Sequence, residues 1–198
     1  MMTALDGIAT LTTRASAVNL TEPAPSNTEL ECILDAAVRA PDHGKLKPWK
    51  FLLVRGAARA RLGDIMAQAL LARDPNAPHQ MIEAERAKPI RAPLLIVVAA
   101  ASDPEHPKIP EIEQVISASC AAMNIFLAAH ALGYGCMWKT GAPAYDSLVK
   151  SALGLEPQHH IVAFLYLGTH KMPPPDIRRP RHADFVQTWE GAPLLAEM

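Results

Sequence analysis

The sequence predicts one compact unit in which helices and strands are interleaved, and three observations predict it. A chain of 198 residues that is 49% hydrophobic and 20% charged can bury a sizeable core. Three short runs of strand-forming residues, Trp49–Arg55, Leu94–Ala100 and 161–168, are separated by stretches of helical spacing or helix-forming composition. No period of about 20 to 50 residues recurs and no low-complexity tract interrupts the chain, which disfavours solenoids and arrays.

Ser26 and Glu29 have the spacing of a capping box, and Leu30, Ile33, Leu34, Ala37 and Val38 line one face of the helix that follows. Pro41 disfavours the α conformation in the residue before it, so this helix stops at Ala40. Trp49–Arg55, closed by Gly56, reads as a buried strand. A helix over Ala57–Arg73 follows, Asp74-Pro75-Asn76-Ala77-Pro78 breaks the chain, and a second helix covers 79–87. Leu94–Ala100 is continuously apolar with a β-branched centre, the pattern of a central strand covered on both faces.

Pro110 opens the longest helix, Glu111 and Glu113 complement the positive end of its dipole, and Gly133 ends it after Leu132. Its mostly uncharged course from Val115 predicts burial. A short strand over 135–140, a helix over 145–153 closed by Gly154 and a buried strand over 161–168 complete the core. Beyond His170, Met172-Pro173-Pro174-Pro175-Asp176 and Arg178-Arg179-Pro180-Arg181 resist regular packing, yet Phe185, Val186 and Trp189 follow. The chain therefore reads as one domain, 1–198, whose residues 171–198 form an arm that docks on another surface, most simply a second subunit.

Nineteen Lys and Arg against 20 Asp and Glu give a formal charge of -1, which offers no broad cationic field to nucleic acid. The first residues carry no cationic n-region, and the most apolar runs fall short of the roughly 18 residues a membrane span needs. A cytoplasmic protein without a membrane segment is expected. Cys32, Cys120 and Cys136 form no C-x-x-C pair and read as reduced, buried thiols. The eight histidines are scattered, so no metal is expected.

Cys120 lies too far along the same helix from His130 for a Cys/His nucleophile, and no G-x-S-x-G elbow is present. Gly133-Tyr134-Gly135-Cys136-Met137-Trp138 starts like a dinucleotide fingerprint but follows a helix and has Trp in the third glycine position, so Gly133 is read as a helix cap. The loop 39–49 is different. Arg39, Lys45, Lys47 and His43 crowd a glycine- and proline-shaped turn, for which a solvated loop is the plain alternative. Two more clusters of cation and hydroxyl, Thr13-Arg14-Ala15-Ser16 and Trp138-Lys139-Thr140, could join it in holding a phosphate and flanking an extended aromatic ligand.

At these residues the sequence resembles the FMN-dependent nitroreductase family, in its short, minimal subgroup. The resemblance runs through Arg14-Ala15-Ser16, Glu22-Pro23-Ala24-Pro25, Arg39-Ala40-Pro41-Asp42-His43 with Pro48-Trp49, Arg91-Ala92-Pro93-Leu94, Gly133-Tyr134-Gly135, Trp138-Lys139-Thr140-Gly141 and Phe164-Leu165-Tyr166-Leu167-Gly168-Thr169. It implies an α+β fold with a mixed central sheet between helices, and a homodimer with FMN at the subunit interface.

The same resemblance assigns the FMN phosphate and ribityl chain to Arg14, Ala15 and Ser16, with Lys139 helping to neutralise the phosphate. Arg39 and His43 would line the flavin from the opposite subunit. Ala128, Ala129, His130, Ala131, Leu132 and Gly133 would let backbone approach it, and Trp138 and Thr140 would complete the wall. The family often has Arg in place of Lys139 and Gln in place of Lys47, so a cation at Lys47 would sit by the N1 to C2 carbonyl edge of reduced flavin. The implied activity is ping-pong electron transfer from NADH or NADPH through flavin N5 to a nitroaromatic, quinone or similar small acceptor, with no obligate catalytic side chain. A flavin-binding protein that stores or senses without turnover, and a cofactor-free interaction domain, are the alternatives.

Overall fold

The computed structural model describes residues 7–172 and 178–191; the first six residues and the proline run 173–175 with residue 176, read above from sequence, lie outside the described residues. Six helices and five strands follow in the order α1 (Gly7–Thr13), β1 (Leu20–Thr21), α2 (Asn27–Ala37), β2 (Trp49–Arg55), α3 (Ala57–Arg73), α4 (His79–Arg86), β3 (Leu94–Ala100), α5 (Glu111–Ala131), β4 (Gly135–Lys139), α6 (Ser147–Ala152) and β5 (His160–His170). The capping box forms: Ser26 Oγ accepts from Glu29 N at 3.3 Å, and Glu29 Oε2 accepts from Ser26 N at 2.9 Å. Helix α2 ends at Ala37, three residues before the expected stop. Arg39 N and Ala40 N donate to Ala36 O and Ala37 O at 3.1 Å, so the last turn tightens before Pro41 is reached.

The fold is α+β, with one correction to the expected sheet. Every strand pairing among the described residues is antiparallel, not mixed. Residues 164–167 of β5 pair with β3 and β4 at once, so β5 lies between them. The single helix α5 links β3 to β4, which run the same way, and β5 enters between them from the opposite direction. Strand β2 pairs only with β3 and is an edge, which leaves Leu53 43% exposed where a buried strand was expected.

Strand β3 is buried at every position and divides the core in two. Leu94, Ile96 and Val98 join Leu165 and Leu167 beneath α2 and α5, while Leu95, Val97 and Ala99 join Phe164 and Tyr166 on the face of α3 and α6. Helix α5 has the length and composition to cross a membrane, yet here it is the core helix. Ala118, Ala121, Ala122, Ile125 and Ala129 are fully buried on it. Its outer face leaves Ile112, Ile116 and Met123 exposed. The three cysteines are free, but only Cys136 is buried. Cys120 is half-buried and Cys32 is exposed on the outer side of α2, so the expectation of buried thiols fails there.

A candidate cofactor site at the ends of the long helix

The chain leaving α1 folds over the C-terminal end of α5. Ala17 N donates to Cys136 O at 2.9 Å, which pins the segment to the start of β4. Its register places the Arg14 guanidinium 4.7 Å from the centre of the Phe126 ring, within cation–π range. Thr13 Oγ1 lies 2.9 Å from His130 Nε2. The hydroxyl proton of Thr13 goes to Ala9 O at 2.6 Å, so the imidazole is the donor to Thr13 and Nδ1 carries the titratable lone pair. His170 closes the group from the end of β5, and Arg179 Nη2 donates to Arg14 O.

Gly135 makes this approach geometrically possible. A Cβ there would stand 2.5 Å from Leu20 Cδ2 and 3.1 Å from both Ala17 Cβ and His170 Cε1. Burial, then the positive charges of His170 and Arg14, hold the His130 pKa below the usual imidazole value, and burial does the same for His170. None of Arg14, His130, His170 and Arg179 forms an ion pair among the described residues. A cluster of cation-capable groups without a carboxylate suits a phosphate.

The other residues expected here divide in two. Ser16 is exposed and Ala15 buried beside Arg14; Ala128, Ala131 and Leu132 are half-buried, and Ala129 is wholly packed into the core. Gly133, at φ 84°, donates to His130 O at 2.9 Å and turns α5 into β4, the cap its position predicted. Trp138 packs on the α2/α5 side of β4, whereas Lys139, opposite Phe164 in the register, faces the other side. Lys139 and Thr140 are exposed and line a cavity of about 320 Å³ together with Lys88, Arg91 and Tyr166.

The loop 39–47 sits at the opposite end of α5. His43 Nδ1 lies 2.5 Å from Glu113 Oε2 in the first turn of that helix. The Asp42 carboxylate accepts from Leu46 N at 3.2 Å and Lys47 N at 2.8 Å, which holds Lys45 and Lys47 in left-handed conformations at φ 57° and 53°. Such strain in a lysine persists only where its surroundings impose it. Glu113 and His130 are about 25 Å apart at 1.5 Å per helical residue. One chain therefore does not bring His43 to the group around His130.

Sequence reading missed three members of these clusters. His170 and Arg179 looked like the tail of a strand and part of a proline-rich arm, and Glu113 read only as a charge on the helix dipole. Their signal is purely tertiary.

The sequence profile described as the nitroreductase family matches residues 11–169. The chain belongs to this oxidoreductase family. The Escherichia coli K12 protein named "Putative NAD(P)H nitroreductase YdjA" is 40% identical over 168 residues, 85% of this chain and 90% of that one. A Haemophilus influenzae protein with the same name, less the gene symbol, is 36% identical over 165 residues, 83% and 89% of the two chains. Among solved structures, a nitroreductase-like family protein from Bacillus cereus superposes with a TM-score of 0.81 at 25% identity, covering 96% of this chain and 100% of that one. A nitroreductase from Desulfovibrio desulfuricans, solved in complex with FMN, gives 0.69 at 25% identity with the same coverages.

Proposed function

We propose that this chain is an FMN-dependent oxidoreductase that passes electrons from NADH or NADPH to small nitroaromatic, quinone or similar acceptors, working as a homodimer. The observation that carries this reading is the carboxylate-free group of Arg14, His130, His170 and Arg179 at the start of β4, whose other end bears Trp138 and Thr140. The donor set fits FMN: the basic group would hold the phosphate, and the edge of β4 away from β5, which beyond the Ala17 bond to Cys136 has no strand partner among the described residues, offers backbone and an aromatic wall to the ring. Lys139 faces the far side of the strand and would act on the phosphate only at a distance, a weaker part than that of Arg14.

Bound FMN supplies the hydride-accepting and hydride-donating chemistry, so the protein has to bind, orient and shield it. For a nitro acceptor the two-electron balance is ArNO2 + NAD(P)H + H⁺ giving ArNO + NAD(P)⁺ + H2O. His43, oriented by Glu113, and Trp138 would face the substrates. The named relatives support the nicotinamide donor, and the FMN-bound relative supports the cofactor.

Two copies would complete this site, because His43, held at Glu113, stands about 25 Å along α5 from His130. The surface for pairing is present: Ile112, Ile116 and Met123 form an exposed apolar stripe on α5, and Phe185, Val186 and Trp189 of the arm are 75%, 65% and 83% exposed. We assign the apolar part of the arm, Phe185, Val186 and Trp189, to the partner subunit, while Arg179 stays on Arg14 of its own chain, and the protein to the cytoplasm.

The absorption spectrum of purified, FMN-supplemented protein, recorded before and after anaerobic addition of NADPH or NADH, tests the reading. Yellow protein that bleaches at a rate compatible with turnover and recovers its colour with a nitroaromatic is the expected result. Colour without bleaching would make it a flavin binder, and colourless protein after incubation with FMN would end the reading.

A further inference from the structure

The cavity on the far side of β4 shares Trp138, Lys139 and Thr140 with the flavin reading, which leaves the rest of its lining unused. At about 320 Å³ it lies at the small end of ligand pockets, which run from roughly 300 to 1,000 Å³. It opens between α3, the turn Lys88–Arg91 and the turn Ala142–Ala144, and its polar lining is basic. Lys88 is paired with Glu85, but Arg91 and Lys139 form no ion pair among the described residues, so the cavity mouth carries surplus positive charge. Tyr166 adds a donor. Burial pushes its phenol up to about 12, so it keeps its proton at neutral pH. Met66, Phe164 and Pro143 supply apolar walls, and Trp138 and Thr140 belong both to this cavity and to the proposed cofactor wall.

Cations at the mouth, a phenolic donor and apolar sides suit a flat organic acid, whose carboxylate or phosphate would take charge-assisted hydrogen bonds. We propose that this cavity holds the acid group of an aromatic electron acceptor, a carboxylate or phosphate monoester, so that the protein favours acidic acceptors over neutral ones. The proposal rests on the reading of Trp138 to Thr140 as the cofactor wall. Arg91 is the selecting residue, because its planar guanidinium can grip either oxyanion with two parallel hydrogen bonds.

The test pairs binding with turnover on FMN-loaded protein. By calorimetry, benzoate and phenyl phosphate should each bind at least about tenfold more tightly than benzamide, and Arg91→Gln should abolish that preference. Whichever anion binds more tightly identifies the acid group preferred. In turnover, the ratio of kcat/KM for 4-nitrobenzoate over 4-nitrobenzamide should fall about tenfold or more in Arg91→Gln, with 4-nitrobenzamide itself unchanged. A preference that survives Arg91→Gln overturns the proposal, as does benzoate binding that is present in FMN-free protein and lost on loading with FMN, which would make the cavity part of the cofactor site. If neither nitro compound is reduced while benzoate still binds through Arg91, the oxidoreductase reading and the acceptor assignment fall, and the acid site alone stands.

Discussion

Tyr134 Oη donates to Glu29 Oε2 at 2.8 Å, tying the residue that leads into β4 to the capping box of α2. The same carboxylate oxygen accepts from Ser26 N and Ser26 Oγ. Those bonds, Ser26's first and then Tyr134's, hold the Glu29 carboxyl below the usual carboxylate range. Tyr134→Phe is expected to cost about 1 kcal/mol, lowering Tm by a few degrees without changing flavin content. The pH dependence has a definite sign. A depressed carboxyl stabilises the fold above its unfolded pKa, and that contribution disappears as pH falls through the folded value. Wild type should therefore lose its advantage over Tyr134→Phe in acid, as thermal melts between pH 7 and pH 3 would show.

The His130 and His170 pair predicts an opposite coupling for free and loaded protein. Both imidazoles have folded pKa values below the usual imidazole value, so in the free protein their stabilising contribution is present above that value and is lost as pH falls through the folded one. A bound phosphate monoester reverses the local balance, because it favours the protonated rings. FMN affinity should rise from pH 8 towards pH 5.5, and His130→Gln should flatten the rise, as read from fluorescence titrations. An affinity that falls on acidification would remove the phosphate from this cluster.

Gly135 tests the packing of the same cluster. In Gly135→Ala the new methyl would stand 2.5 Å from Leu20 Cδ2, which must swing away, and 3.1 Å from Ala17 Cβ and His170 Cε1, so the segment after α1 and the His170 ring are pressed outward by a few tenths of an ångström. A loss of about 1 to 3 kcal/mol in stability is expected, with FMN affinity down at least about tenfold. Chemical denaturation and flavin titration measure the two effects separately. Full flavin affinity in a destabilised variant would show that the Arg14 segment does not carry the cofactor.

The core was legible because its signals are local. The capping residues Ser26 and Glu29, the helix Ala57–Arg73, the strand Leu94–Ala100 and the glycine turn at Gly133 all follow from residues a few positions apart. The two-residue β1 and the seven-residue α1, with no charge in either end turn, gave no such signal. Strand direction was not legible either, since it depends on β5 entering between β3 and β4. At the site, Arg14 and His130 could be named from motifs, but their company could not. His170 and Arg179 reach them from the far end of the chain, and the side of β4 taken by Lys139 follows only from its register against Phe164.

The separation of His43 from the group around His130 makes the composite site testable by complementation, with Arg39 probing the start of the same loop. Arg14→Ala and Arg39→Ala each remove one half of every site in a symmetric dimer, so each purified variant should lose flavin. Carrying different affinity tags and produced together, the two chains also form a mixed dimer, which two successive purifications isolate. If Arg14 of one subunit works with Arg39 of the other, one site in that dimer carries both substitutions and the other carries neither. About one flavin per mixed dimer is then expected, together with about half the wild-type turnover per dimer. If the two residues serve the same chain's site, both sites of the mixed dimer are damaged and it should stay as colourless as its parents. Absorbance of the isolated mixed dimer after incubation with FMN distinguishes the two arrangements, and flavin absent there would place Arg39 in the site of its own chain.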